Sequence, residues 1–421
     1  MTDMTDTLDS LEARAPEARE RELMAGLPQL IARAQQAPGW ARILDGVDAA
    51  GITSRAALAQ LPVTRKSDLK HLQHGELPFG GLNTTPKNAL SRVFVSPGPI
   101  FDPEGRGPDW WRFARPMYAA GVRAGGLLQN CFSYHFTPAA FMVEGGAARI
   151  GCTVIPAGIG QTEMQVQAMA DLKPDTYIGT PSFLKLIIEK AREMGADISS
   201  VTKALMGAEA LPESLRSWFA ENGVPHVFQT YASADIGSIA YETASHGKLN
   251  PGMVVDENVL LEIVHPGSGI PVAPGEVGEV VVTVFNADYP LIRFATGDLS
   301  AVLMDAPDSP CGRTNTRIKG WMGRADQTTK VRAMFVHPSQ VHEIARRHPH
   351  IRKARLVVSG RMANDEMALH CEVDDPTDAS GVEAIIGSIR ELTKLRGDVV
   401  LVAVGSLAQD GKIIDDMRDY K

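Results

Sequence analysis

The chain has 421 residues, 44% of them hydrophobic, and carries 42 Lys+Arg against 50 Asp+Glu, a formal net charge of −8. At roughly 100–200 residues per domain this predicts a soluble protein of two or three domains that buries its core without disulfides. Mild acidity, with basic runs no longer than Arg346-Arg347, argues against a nucleic-acid partner, and four scattered cysteines exclude a disulfide framework or zinc ribbon and fit a reduced, cytoplasmic setting.

Met1 to Glu22 is polar and acidic, without the basic start and apolar stretch of a signal peptide, and no apolar run approaches the roughly 18 residues of a membrane helix. Leu11 to Ala37 reads as helix broken around Gly26 to Pro28, and Thr64 to Leu69 as a polar turn that opens a short helix. Pro78 to Asn88 reads as loop. From Val93 to Glu242 short β-branched runs alternate with helical ones: strands at Thr153 to Pro156, Thr176 to Gly179, Val201 to Met206 and Val224 to Gln229, helices at Thr162 to Leu172, Ser182 to Met194 and Glu213 to Asn222. This is the pattern of βαβ units and a mainly parallel sheet. Leu260 to Phe294, punctuated by Pro266-Gly267 and Pro274-Gly275, reads as antiparallel β. Beyond the loop Pro307 to Arg313 the pattern is a small α+β domain, with helices at Pro338 to Arg347 and Val382 to Thr393. The boundary falls between 1–322 and 323–421.

Four blocks carry chemistry. They are Gly207-Ala208-Glu209; Gln229-Thr230-Tyr231-Ala232-Ser233-Ala234-Asp235; Leu291-Ile292-Arg293-Phe294-Ala295-Thr296-Gly297-Asp298-Leu299; and Arg317-Ile318-Lys319-Gly320 with Gly323-Arg324-Ala325-Asp326 and Phe335-Val336-His337-Pro338-Ser339-Gln340. In this order they resemble the adenylate-forming enzymes, and within them the phenylacetate:CoA ligase branch. The resemblance implies ATP, Mg²⁺ and coenzyme A as cofactors and a small carboxylic acid, probable aryl acids among them, as substrate. It implies nucleotide binding by Gly207, Ala208, Glu209, Tyr231 and Asp298, catalytic roles for Arg324 and Lys412, Mg²⁺ on Asp235, and a hinge at Asp326 for a mobile small domain. Asn130 to Phe136 stands at the family's acyl-pocket segment, which assigns Phe132, Tyr134, His135 and Phe136 to that pocket. An oligomer is compatible with all of this; a membrane partner is not expected.

The residue types suit the task. Joining a carboxylate to an α-phosphate brings two anions together, which calls for positive charge and positioning. Asp298 can accept two ribose hydroxyls at once. Lys412, after Gly411, is a compact charge on a long stem. Cys311-Gly312-Arg313 resembles a segment that helps bind zinc in some relatives, but with His246 as the one further ligand it reads as a turn.

One segment departs from the family. Where the family has a hydroxyl- and glycine-rich loop ending in lysine, this chain reads Ser96-Pro97-Gly98-Pro99-Ile100-Phe101-Asp102-Pro103. Prolines bring no N–H, and Asp102 takes the lysine's place. A unit charge about 5 Å from another at an effective dielectric near 20 is worth roughly 3 kcal/mol, here repulsive if Asp102 faces phosphates. Either Asp102 points away and Arg106 or Mg²⁺ compensates, or ATP binds weakly. The sequence therefore reads as an ATP-dependent acyl-CoA ligase, with a non-catalytic binding protein on the same fold as the rival.

Overall fold

The computed structural model describes residues 6–96, 99–304, 310–325, 327, 329–332, 334–361, 364–408 and 412–418, and the chain divides into two compact units, Met1–Met322 and Gly323–Lys421. Among the described residues no helix is long and apolar enough to cross a membrane.

The first unit is built on an eight-stranded sheet. Five strands run parallel: Thr153–Ile155, Leu127–Asn130, Thr176–Gly179, Lys203–Met206 and His226–Ser233. Three more, Gly237–Tyr241, Met253–Val255 and Arg317–Ile318, extend it in antiparallel fashion. The helix Pro181–Met194 shows how the sequence encodes the layers. Thr180 caps it by accepting from the Phe183 amide at 3.4 Å, Pro181 occupies its first turn, and Gly195 ends it at φ +64°. Its buried stripe is Leu184, Ile187, Ile188 and Ala191, the i, i+3, i+4, i+7 spacing of one helix face.

A second sheet of four strands places Thr64–Arg65 parallel to Leu291–Ser300, which pairs with Gly278–Val284 and through it with Val259–Val264. The sequence reading of Thr64 as the start of a turn is thus corrected. The two residues form a strand whose partner lies far along the chain, and only then does the 3-10 turn Lys66–Asp68 lead into the helix Leu69–Gly75.

The expected break at Gly26 to Pro28 is also absent: Pro16–Ala34 is one helix. An interior proline costs about 3 kcal/mol. Burying Leu23, Leu27, Leu30 and Ile31 offsets it, at about 1.5–3 kcal/mol per large aliphatic side chain. Gly26 has a packing reason, since a Cβ there would meet the Phe285 ring at 2.9 Å.

The second unit is a four-stranded sheet, ordered Asp398–Ala403, Asn364–Val373, Lys353–Arg361, Ile414–Asp416, with the helices Pro338–Arg347 and Val382–Thr393. Val341, Ile344, Leu356, Leu369, Ile385 and Ile389 form its core.

Candidate active site

The parallel strands end on the loops that carry the first two blocks. Gly207 follows Lys203–Met206 and donates its amide to the Gly179 carbonyl at 3.1 Å, which ties the block to the neighbouring strand end. Ala208 is held at φ +65°, a left-handed conformation costly for a residue with a Cβ. Glu209 accepts from the Ser182 amide at 3.2 Å, and its carbonyl accepts from the Gln229 side chain at 3.2 Å. The strained turn is thus fixed from two sides.

Tyr231 and Asp298, 67 positions apart, meet directly: the phenol donates to Asp298 Oδ2 at 2.8 Å, and its oxygen lies 3.2 Å from Thr296 Oγ1. Asp298 follows Gly297, which takes φ +77°, and its own amide donates to Thr296 Oγ1 at 3.1 Å. Its other oxygen, Oδ1, accepts from Trp321 Nε1 at 3.1 Å. Trp321 was missed in the sequence, although it lies between the two halves of the fourth block. Arg293, from the third block, plays a different part. It is buried and bonded to Glu262 at 3.0 and 3.1 Å, with its remaining donors on backbone carbonyls.

The segment that replaces the glycine-rich loop is a hairpin. Arg92–Ser96 pairs with Ile100–Glu104, setting Phe94 opposite Asp102 and Ser96 opposite Ile100; Pro97 and Gly98 lie outside the described residues. Asp102 is 1% exposed. Its carboxyl accepts from the Ser96 hydroxyl and stands within hydrogen-bonding reach of Asp235. Burial first, and then the charge of Asp235, push the Asp102 carboxyl well above the usual carboxylate range, while Ser96 and Lys66 pull the other way.

Of the two alternatives posed by the sequence, Asp102 faces the site, but the compensating cation is not Arg106, whose Nε donates to the Ala89 carbonyl at 3.1 Å. It is Lys66. The Lys66 ammonium lies 2.5 Å from Asp235 Oδ2. Burial alone would lower its pKa; Asp235, then Asp102 and Asp298, more than offset this and hold it above its ordinary value.

The sequence reading puts Mg²⁺ on Asp235, where the structure has an ammonium beside the carboxylate. The outer oxygen of Asp235 is charge-balanced by Lys66 and also accepts from the Ser233 hydroxyl at 3.3 Å. Among the described residues no group of three or more His, Cys, Asp or Glu could hold a metal ion. The carboxylate accepts from an ammonium here, and a metal on Asp235 would take that ammonium's place.

In the acyl-pocket segment, Phe132 is buried and its ring lies 3.4 Å from where a Cβ on Gly207 would stand. The Tyr134 hydroxyl accepts from Asn130 at 2.9 Å and donates to Glu144 at 2.5 Å; burial, then Glu144, push its phenol far above its ordinary value. His135 and Phe136 are exposed, Phe136 at 74%. The fold therefore joins Phe132 to the Gly207 block and leaves Phe136 on the surface. Arg324 and Lys412 belong to the second unit, where Lys412 is paired with Asp415 at 2.8 Å. Asp326 and Gly411 lie outside the described residues.

Residues 123–284 match the family model of the AMP-binding enzymes. The chain is 30% identical over 355 residues to the phenylacetate-coenzyme A ligase of Thermus thermophilus, covering 81% of this chain and 78% of that protein. It belongs to the phenylacetate–coenzyme A ligase family. The enzyme of that name from Escherichia coli K12 is 27% identical over 88% of this chain and 89% of its own length. In fold, the chain is similar to a crystal structure of 2-hydroxyisobutyryl-CoA ligase in complex with 2-HIB-AMP and CoA. The TM-score is 0.80 at 23% identity, over 98% of this chain and 92% of that one. A mixed α/β adenylate-forming architecture is thereby established for this family member, as its sequence implied.

Proposed function

We propose that this chain is an AMP-forming carboxylate:CoA ligase: ATP and a carboxylic acid give an acyl-adenylate and pyrophosphate, and the CoA thiol then displaces AMP. The observation that carries this reading is the Tyr231–Asp298 contact at 2.8 Å, flanked by Trp321, in a member of a family of AMP-binding CoA ligases. A carboxylate fixed through both oxygens presents its remaining lone pairs in one orientation, which is what a ribose diol requires.

In this reading Gly207, Ala208 and Glu209 line the adenine, Asp298 accepts the ribose hydroxyls, and Tyr231 holds Asp298 in place. Phe132 bounds the acyl group, an aryl acid being the substrate class the family suggests. Arg324 and Lys412 serve the adenylation half-reaction. Mg²⁺ enters with the phosphates of ATP and not as a ligand of Asp235. The buried Asp102 in place of the loop lysine favours the rival, a non-catalytic ligand-binding protein on the same fold.

AMP release from ATP, with CoA and a panel of aryl and aliphatic acids, separates the two. A ligase releases AMP only when its acid is present, and Asp298→Ala abolishes that release while the fold persists. Lys412→Ala should stop acyl-adenylate formation yet leave conversion of a presynthesised acyl-adenylate to thioester near the normal rate. ATP binding with no AMP release for any acid would favour the non-catalytic reading.

A further inference from the structure

The sheet register that places Asp298 also brings a lysine to it. Arg65 is paired with Ala295, so Lys66 leaves its strand level with Thr296, at the start of the turn to Asp298. There the ammonium meets Asp235 at 2.5 Å, with the charges of Asp102 and Asp298 also acting on it. Three carboxylates around one lysine make a net negative group, which by itself repels a triphosphate.

Exposure decides which charge an incoming anion meets. The Lys66 side chain is 29% exposed, that of Asp235 only 1%, and Asp102 is equally sealed at 1%. The ammonium has three donors, and its hydrogen bond to Asp235 uses one. Asp235 and Asp102 are thus sealed, and of the Lys66–Asp235 pair it is the lysine that solvent reaches. The loop itself offers no lysine: Pro97 and Pro99 lack N–H groups and Asp102 stands where the family has lysine, and the cation whose charge acts on Asp102 is Lys66.

We propose that Lys66, seated on Asp235, is the cation that receives the phosphates of the nucleotide in this chain. It takes the part that the loop 96–103 leaves without a lysine and that Asp235 would otherwise give to a metal ion. The proposal rests on the ATP-dependent reading above. In it, Asp235 is a positioning residue that fixes the ammonium, and Lys66 is the residue that touches substrate.

The test is calorimetric titration of the full chain with ATP, AMP and adenosine. Lys66→Met should weaken ATP by at least ~10-fold, the range of a hydrogen bond to a charged group, and adenosine by less than ~2-fold. Lys66→Arg should keep ATP affinity within ~5-fold, because the charge is retained. Since Lys66→Met leaves Asp235 buried without its counter-charge, the double variant Lys66→Met/Asp235→Asn provides the same comparison with the uncompensated carboxylate removed. A folded variant of either kind that binds ATP as tightly as the unaltered chain would overturn the proposal. So would an equal loss for ATP and adenosine, which would make Lys66 a packing residue. If the unaltered chain binds adenosine but not ATP, the proposal and the ligase reading fall together; if it binds ATP and only Lys66 proves inert, the ligase reading survives.

Discussion

Among the ion pairs that join distant parts of the first unit, Arg293 with Glu262 and Lys66 with Asp235 are built on opposite terms. Arg293 spends all five of its donors. Two go to Glu262 at 3.0 and 3.1 Å, two to the Ala59 and Leu61 carbonyls at 2.8 and 2.7 Å, and one to Gly269 at 2.7 Å. Its side chain is 2% exposed. Lys66 has one carboxylate at 2.5 Å and remains 29% exposed, while Asp235 Oδ1 is buried and receives no N–H among the described residues. A saturated buried pair fixes backbone and has no capacity left for a ligand. An unsaturated one at a site mouth costs stability and keeps capacity for an anion.

The largest effect should come from breaking the saturated pair. Arg293→Met leaves Glu262 buried without a counter-charge and three carbonyls without donors, a loss of about 3–5 kcal/mol. The denaturant midpoint of the full chain should fall accordingly. A variant of unchanged stability that binds ATP poorly would move Arg293 from scaffold to site.

The unsaturated pair is sharpened by removing the charge behind it. Asp102→Asn keeps the shape of the side chain but removes the charge that Asp102 brings to Lys66 once it is ionised, so the comparison is made at a pH above its raised pKa. ATP should bind about 3- to 10-fold more tightly. That is less than a bare 3 kcal/mol of repulsion would give, because Lys66 already offsets part of it. The same titration on Asp102→Asn checks this, and weaker ATP binding would show that the Asp102 charge holds Lys66 in its working position.

The contrast also bears on what could be read from the sequence. The alternation of short strands and helices between Val93 and Glu242 is local, and it appears as the parallel half of the large sheet. The helix Pro338–Arg347 keeps its predicted bounds, because Pro338 opens it and the buried Val341 and Ile344 set its face. The motif blocks named Tyr231 and Asp298, and the fold brings them together. What escaped depended on partners remote in sequence. Thr64–Arg65 is a strand only because Phe294 and Ala295 lie alongside it, and Lys66 reaches Asp235 across 169 positions. The Gly26–Pro28 break failed because tertiary burial outweighed a local signal.

The smallest effects should separate the two donors on Asp298. Tyr231 is 8% exposed and bonds Oδ2 at 2.8 Å, whereas Trp321 is 37% exposed and bonds Oδ1 at 3.1 Å. Water can replace the N–H of an exposed indole more readily than the O–H of a buried phenol. Tyr231→Phe should therefore weaken ATP by about 5- to 10-fold and Trp321→Phe by less than about 3-fold. The two donors act on one carboxylate, so their effects should not add. Each restrains the same group, so the double variant should lose more than the product of the single losses. Titrating the three variants with adenosine as well as ATP completes the comparison. The losses should be the same for both ligands, because Asp298 meets the ribose, whereas loss at Lys66 should appear only when phosphates are present.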